Sequence, residues 1–238
     1  MKILIAGEGG QGVQLISNII ADCAYRQKIN TSIIPHYGVE MRMGISFAYI
    51  QLAKENIYYP KFAKADLLVV MSKRQIEIPK NFIDKKTLII NAISLDKIIK
   101  NNGLSPRSLN MLVLGIIVKE LSNTEFALNK FIVKEEIKNK FAEKNELLSN
   151  NIKSYEFGLL LDKTEYDKNL SNIKQNDFLP IVDNDKDKIH VKFPDLCKGC
   201  GLCILKCPVS ALSWSEDKIN YILKPIPKLN LSKCISCM

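Results

Sequence analysis

The chain has 238 residues, 47% of them hydrophobic, and a formal net charge of +9, which gives room for one full-sized domain and a smaller second one. No window approaches the roughly 20 uninterrupted apolar residues of a membrane span, and the short glycine-rich start MKILIAGEGG is not a signal peptide, so the reading is a cytoplasmic protein. The basic residues are mostly Lys, dispersed among Asn and Ile without an aromatic-and-basic pattern, which excludes a nucleic-acid-binding signature and leaves a solvated surface or one that steers toward an acidic partner.

Lys2–Ala6 (KILIA) reads as a short apolar strand that runs into the turn GEGGQG, after which Gln14–Arg26 carries apolar residues at helical spacing. A second strand, Thr31–Pro35, follows, so the chain opens as a βαβ-type unit. After the loop HYGVEMRMG come three more β-rich runs, Ser46–Ala53, Ala65–Met71 and Lys86–Ala92, for about five strands in all. From about Ser108 the pattern turns helical, through LNMLVLGIIVKEL, then EFALNKFI, VKEEIKNKF and LLSNNIKSYEFGLLL. The expected fold class is α/β, with a Rossmann-like N-terminal domain over 1–162 and a helical C-terminal end to it. Residues 163–188 are polar and charged, with one apolar patch at Phe178–Val182, and read as a linker. The strand-like run KIHVKF then opens a small bacterial-ferredoxin-type α+β module over 189–238.

Gly7, Gly9 and Gly12, with Gly10 and Gln11 between them, fit G-x-G-x-x-G between a strand and a helix. A dinucleotide site also wants a ribose-binding carboxylate roughly 20 residues on, at the end of the second strand. Ile34, Pro35 and His36 stand there, and Glu40 lies beyond a turn. Three readings stay open: a dinucleotide fingerprint, a plain tight turn, or a helix N-terminus offered to an anion or a partner subunit.

Cysteine use is lopsided, with Cys23 alone in the N-terminal half and six more between Cys197 and Cys237. Cys23, in the middle of an apolar helix face, reads as a small buried hydrophobe. Cys197, Cys200, Cys203 and Cys207, followed by Pro208, reproduce C-x2-C-x2-C-x3-C-P, the spacing that wraps thiolates around a [4Fe-4S] cubane. Gly199 and Gly201 let backbone amides approach, and Pro208 stops the preceding turn. A zinc ribbon would use two separated CxxC pairs and leaves the proline unexplained. Cys234 and Cys237 begin a second motif. In two-cluster ferredoxins the fourth cysteine of each motif ligates the other cluster, so six thiolates cannot fill eight positions. The expectation is therefore a fragment or a truncated gene. His36 and His190 read as ordinary loop and strand residues, since cysteines already account for the metal.

GEGGQG after the first strand, then HYGVEMRMG, LNMLVLG and NELLSNNIKSYEFG, together resemble the gamma subunit of the 2-oxoacid:ferredoxin oxidoreductases over Lys2 to Leu161. The cysteine region resembles the ferredoxin-like delta subunit, so the chain looks like a gamma-delta fusion. That family's tract P-E-x-R-G-G is altered here: Val39 replaces the proline and Met43 the first glycine, while Glu40, Arg42 and Gly44 are in place. Asn110 and Asn145 also match positions of the family, and both equally suit helix caps or packing.

The resemblance implies CoA-dependent oxidative decarboxylation of a 2-oxoacid with reduction of ferredoxin, thiamine diphosphate and Mg being held by alpha and beta partner subunits. This chain would supply structural support and an electron path through [4Fe-4S] clusters. It also implies that the glycine turn and Arg42 border the coenzyme A phosphates. The YGVEMR loop, the YYP tract and the spacer before Cys234 favour 2-oxoglutarate over pyruvate and 2-oxoisovalerate. The alternatives are a stand-alone iron-sulfur electron carrier and an NAD-linked reductase that uses the glycine turn.

Overall fold

The computed structural model describes residues 1–37, 44–73, 77–143, 145–167, 182–185, 188–191, 197, 199–219 and 225–235. The chain divides into two compact units, Met1–Ile173 and Lys174–Met238.

The first unit is built on a five-stranded sheet of β1 (Lys2–Glu8), β2 (Asn30–Tyr37), β3 (Ile45–Ala53), β4 (Leu67–Val70) and β5 (Leu88–Asn91), in the order β2-β3-β1-β4-β5. β1, β4 and β5 run parallel, as the alternation of strand and crossover implies, and β3 runs antiparallel to both of its neighbours. The expected opening βαβ unit is therefore split: β2 lies parallel to β1, with β3 inserted between them. Pro35 sits within β2 opposite Ala48, which the sheet tolerates because β2 is an edge strand whose outer side has no ladder to complete.

Both sheet faces are covered, and residue alternation along β1 sorts its side chains between them. Ile3 and Ile5 join the larger core with α1 (Val13–Arg26), whose Val13, Ile16, Ile20, Cys23 and Ala24 are buried at helical spacing. Leu4 and Ala6 point to the other face and meet Phe47, Phe62, Leu68 and Val70. That side carries an aromatic cluster in which Tyr49 packs edge-on against Phe62 and Phe82, with ring centroids 5.4 and 5.7 Å apart. After α2 (Glu77–Lys80) and α3 (Asp96–Asn101) comes α4 (Leu109–Leu121), buried on nearly every side, as its almost unbroken apolar sequence requires.

α5 spans Lys130–Lys140, and α6 spans Asn145–Leu160. The run EFALNKFI, expected to be helical, does not start a helix until Lys130. Gln27 at the end of α1 ties its approach instead, donating to the Ala127 carbonyl at 2.9 Å and accepting from the Asn129 amide at 2.6 Å. Asn129 then caps α5 by accepting from the Phe131 amide. α1 and α5 are further clasped by Arg26, which reaches Glu135 at 2.8 Å and Glu136 at 2.7 Å.

At the head of the stretch read as a linker, α7 (Lys163–Tyr166) packs Tyr166 fully into the first unit, its hydroxyl donating to Glu120. In the second unit β6 (Val182–Asp185), also within that stretch, pairs antiparallel with β7 (Lys188–Val191). The unit continues with α8 (Leu202–Lys206) and the antiparallel pair β8 (Leu212–Ile219) and β9 (Pro225–Leu229).

Candidate functional site

Four of the six candidate cluster ligands flank or occupy α8. Gly201 starts that helix in the left-handed region at φ 75°, and a Cβ there would lie 2.9 Å from the ring of Trp214 on β8. Only glycine suits both conditions, and the result places Cys203 on α8 with Cys200 just before it. Cys207 closes the helix in an extended conformation at φ −70°, ψ 112°, which is what a following proline imposes. Two sulfurs already accept backbone hydrogen bonds, Cys197 Sγ from the Gly199 amide at 3.3 Å and Cys207 Sγ from the Ala211 amide at 3.1 Å.

These amides matter electrostatically. Burial pushes the Cys207 thiol up, but the backbone amides of Ala211, Val209, Leu212 and Ser210 more than reverse it and hold the thiol below its ordinary value. Burial keeps the Cys203 thiol above its ordinary value, against the Ile204 amide, with Cys197 adding in the raising direction. Cys234 follows a turn organised by Asn230, whose Oδ1 accepts from the Ser232 amide at 3.0 Å and its hydroxyl at 2.6 Å. Cys237 lies outside the described residues. Among the described residues no three His, Cys, Asp or Glu side chains gather closely enough to grip one metal ion. The all-thiolate donor set and its C-x2-C-x2-C-x3-C-P spacing suit a multi-iron group, whose irons each take a separate cysteine, better than a single zinc.

The glycine turn forms the second candidate. Gly7, Gly9, Gly10, Gln11 and Gly12 stand together where β1 passes into α1, at the C-terminal edge of the parallel strands, the usual ligand side of an α/β sheet. Gly12 begins α1 at φ 78°, and a Cβ there would come within 2.2 Å of Asn110 Nδ2 on α4. Gln11 spans the turn, accepting from the Glu8 amide at 2.8 Å and donating to the Met71 carbonyl at 3.1 Å. Glu8 is itself buried and accepts a hydrogen bond from the Ser72 hydroxyl. The spacing of the glycines in the sequence points to the turn, but gives no sign of these neighbours from β4 and α4.

Arg42 lies outside the described residues, but both feet of its loop are placed. Tyr37 pairs with Ser46 across β2 and β3, and the Gly44 carbonyl accepts from the Gly9 amide at 2.9 Å, which ties Gly44 to the glycine turn. His36 stacks on Phe47 at 6.2 Å, as an ordinary strand residue would. Cys23 is fully buried in the core of the first unit. No helix among the described residues is long and apolar enough to cross a membrane.

Two family descriptions match parts of the chain. Residues 2–161 match the family described as pyruvate ferredoxin/flavodoxin oxidoreductase, and residues 190–213, which include Cys197, Cys200, Cys203 and Cys207, match a 4Fe-4S binding domain. Among curated relatives, ketoisovalerate oxidoreductase subunit VorA of Methanothermobacter thermautotrophicus is 25% identical over 173 residues, covering 66% of this chain and 35% of that protein. The chain thus spans about a third of the length of the curated relatives it matches first. An uncharacterized protein of Methanocaldococcus jannaschii is 44% identical over 41 residues, 17% of this chain and 15% of that one. Among solved structures, 2-oxoglutarate:ferredoxin oxidoreductase from Magnetococcus marinus, with 2-oxoglutarate, coenzyme A and succinyl-CoA bound, superposes with a TM-score of 0.57 at 21% identity, covering 79% of this chain and 34% of that one. Pyruvate oxidoreductase subunit PORC from Thermotoga maritima superposes with a TM-score of 0.50 at 16% identity over 66% of this chain and 94% of that one. At these identities the superpositions speak for the fold.

Proposed function

Since the chain belongs to the pyruvate ferredoxin/flavodoxin oxidoreductase family and carries a 4Fe-4S binding domain, we propose that it is the gamma-delta-type subunit of a 2-oxoacid:ferredoxin oxidoreductase, working with thiamine-binding alpha and beta subunits. The observation that carries this reading is the union in one chain of the split α/β sheet and the C-x2-C-x2-C-x3-C-P segment. Bound iron-sulfur clusters would supply one-electron transfer between the thiamine chemistry of the partners and ferredoxin.

The chain's own residues set the terms of that transfer. Cys197, Cys200, Cys203, Cys207, Cys234 and Cys237 are the proposed thiolate ligands. The amides of Gly199 and Ala211 aim partial positive charge at Cys197 and Cys207, which would favour the more negative reduced state of a cluster bound there and raise its reduction potential. The glycine turn and Arg42 form the proposed border of the coenzyme A phosphates. Support comes from the Gly9–Gly44 hydrogen bond, which ties Gly44, two residues after Arg42 in sequence, to the glycine turn. As substrate we favour 2-oxoglutarate, on the character of the YGVEMR loop, the YYP tract and the spacer before Cys234.

The test is to co-express the chain with its thiamine-binding partners and follow CoA-dependent reduction of ferredoxin with 2-oxoglutarate, pyruvate and 2-oxoisovalerate in turn. The expected result is acceptor reduction that needs both thiamine diphosphate and CoA and is fastest with 2-oxoglutarate. In that assay Arg42→Ala should raise the KM for CoA by about tenfold with kcat largely kept, the signature of binding lost equally from the ground and transition states. Recovery of the chain without partners and without thiamine-dependent activity would instead establish a stand-alone carrier, and bleaching of the cluster absorbance by NADH an NAD-linked reductase.

A further inference from the structure

α5 and α6 enclose an open groove of about 480 Å³ on the first unit. Lys134 and Lys138 stand one helical turn apart on α5, and Ser149 and Lys153 one turn apart on α6, so each helix presents a stripe of donors to the gap. Leu148 and Ile152, both half-buried, form its floor. The one carboxylate in the lining, Glu156, is taken up by Lys134 at 2.6 Å. Lys138 and Lys153 have no ion-pair partner among the described residues, so the groove keeps two uncompensated positive charges over an apolar floor.

We infer that this groove is a docking site for an acidic protein segment, one that sets carboxylates against Lys138 and Lys153 and an aliphatic side chain on Leu148 and Ile152. Charge complementarity selects the sign of the occupant. The apolar floor selects its class: a small inorganic or nucleotide anion would leave Leu148 and Ile152 wet, whereas a polypeptide covers them as it pairs with the lysines. The lining contains neither an arginine fork for bidentate phosphate recognition nor an aromatic platform for a base. The inference rests on the proposed function only in taking the chain to work in contact with other proteins.

The probe is a fluorescein-labelled peptide of glutamates interrupted by leucines, titrated against the full chain and read by fluorescence anisotropy at low and at physiological salt. Binding should weaken by about tenfold or more in Lys138→Glu/Lys153→Glu, the effect of reversing two facing charges, and also in Ile152→Ser, while an all-glutamate peptide binds more weakly than the mixed one. Because Ile152 is half-buried, the exposed pair Lys138→Gln/Lys153→Gln serves as a second variant whose folding is not in question. Equal binding to the parent and both lysine variants, or none to any of them, overturns the assignment. So does pyrophosphate that binds with the same lysine dependence where the peptide does not, which would make the groove a small-anion site. Acceptor reduction by the assembled oxidoreductase is measured separately, so the groove assignment can fail while the proposed function stands, and the reverse.

Discussion

Gly12 holds the start of α1 in the left-handed region with the Asn110 side chain pressed against it. Gly12→Ala would add backbone strain and a clash, and should destabilise the first unit by about 2–4 kcal/mol in urea unfolding. The spacing of the glycines made the turn legible in the sequence, but Asn110 lies far along the chain and only the fold shows why this position admits nothing larger. Cys23 is the second case. Burial, with Glu136 adding, pushes its thiol up to about 12, whereas an unfolded thiol titrates near 8.5. The native state therefore binds this proton more tightly than the unfolded chain. The stability that follows is fully present below about pH 8.5 and is lost as pH rises toward the folded value. Urea midpoints should fall over that window in the parent and fall less in Cys23→Ala. Alkylation of Cys23 by iodoacetamide should need denaturant at neutral pH.

At the scale of elements, α4 and α6 approach each other closely enough that their backbones touch at glycines. A Cβ on Gly115 would lie 2.2 Å from the Tyr155 carbonyl, and one on Gly158 equally close to the Leu112 carbonyl. Both obstacles are backbone, so the helices themselves must part. Gly158→Ala should cost about 1–3 kcal/mol in urea unfolding without altering helix content by circular dichroism. The helices were legible because their apolar periodicity or continuous hydrophobicity is local information. The position of β3 was not: its alternating pattern fits any half-buried strand, and its insertion between β1 and β2 depends on pairing partners far away in the chain. EFALNKFI departs from its helical pattern for a related reason, since the side chain that ties its backbone, Gln27, lies about a hundred residues away. Asn129 was the local signal for where α5 begins.

The two units of the whole molecule differ in the cores that their described side chains form. The first has cores on both faces of its sheet, whereas the fully described side chains of the second include few buried apolar residues, Ala211 and Ile226 among them. For a small cysteine-rich module of this kind, bound metal is the usual source of stability. Stripping iron with a chelator under oxidising conditions should abolish the structure of Lys174–Met238, read by loss of cluster absorbance and increased proteolysis there. The unfolding transition of Met1–Ile173 should remain. Concerted loss of both units would contradict this division. The cysteine spacing made the chemistry of the second unit legible, because short-range ligand spacing is itself local. The amides that support the sulfurs depend on backbone conformation, which side-chain identity does not encode so directly.

Trp214 is the chain's single tryptophan, and it lies against Gly201, between Cys200 and Cys203 in sequence. Its emission overlaps the broad absorption that iron-sulfur groups give, so excited-state energy would pass from the indole to a cluster held by the proposed ligands. Fluorescence should be dim in the loaded protein and brighten as iron is removed. With the proposed ligands loaded, the chain would carry its own optical gauge of cluster content, readable without a label.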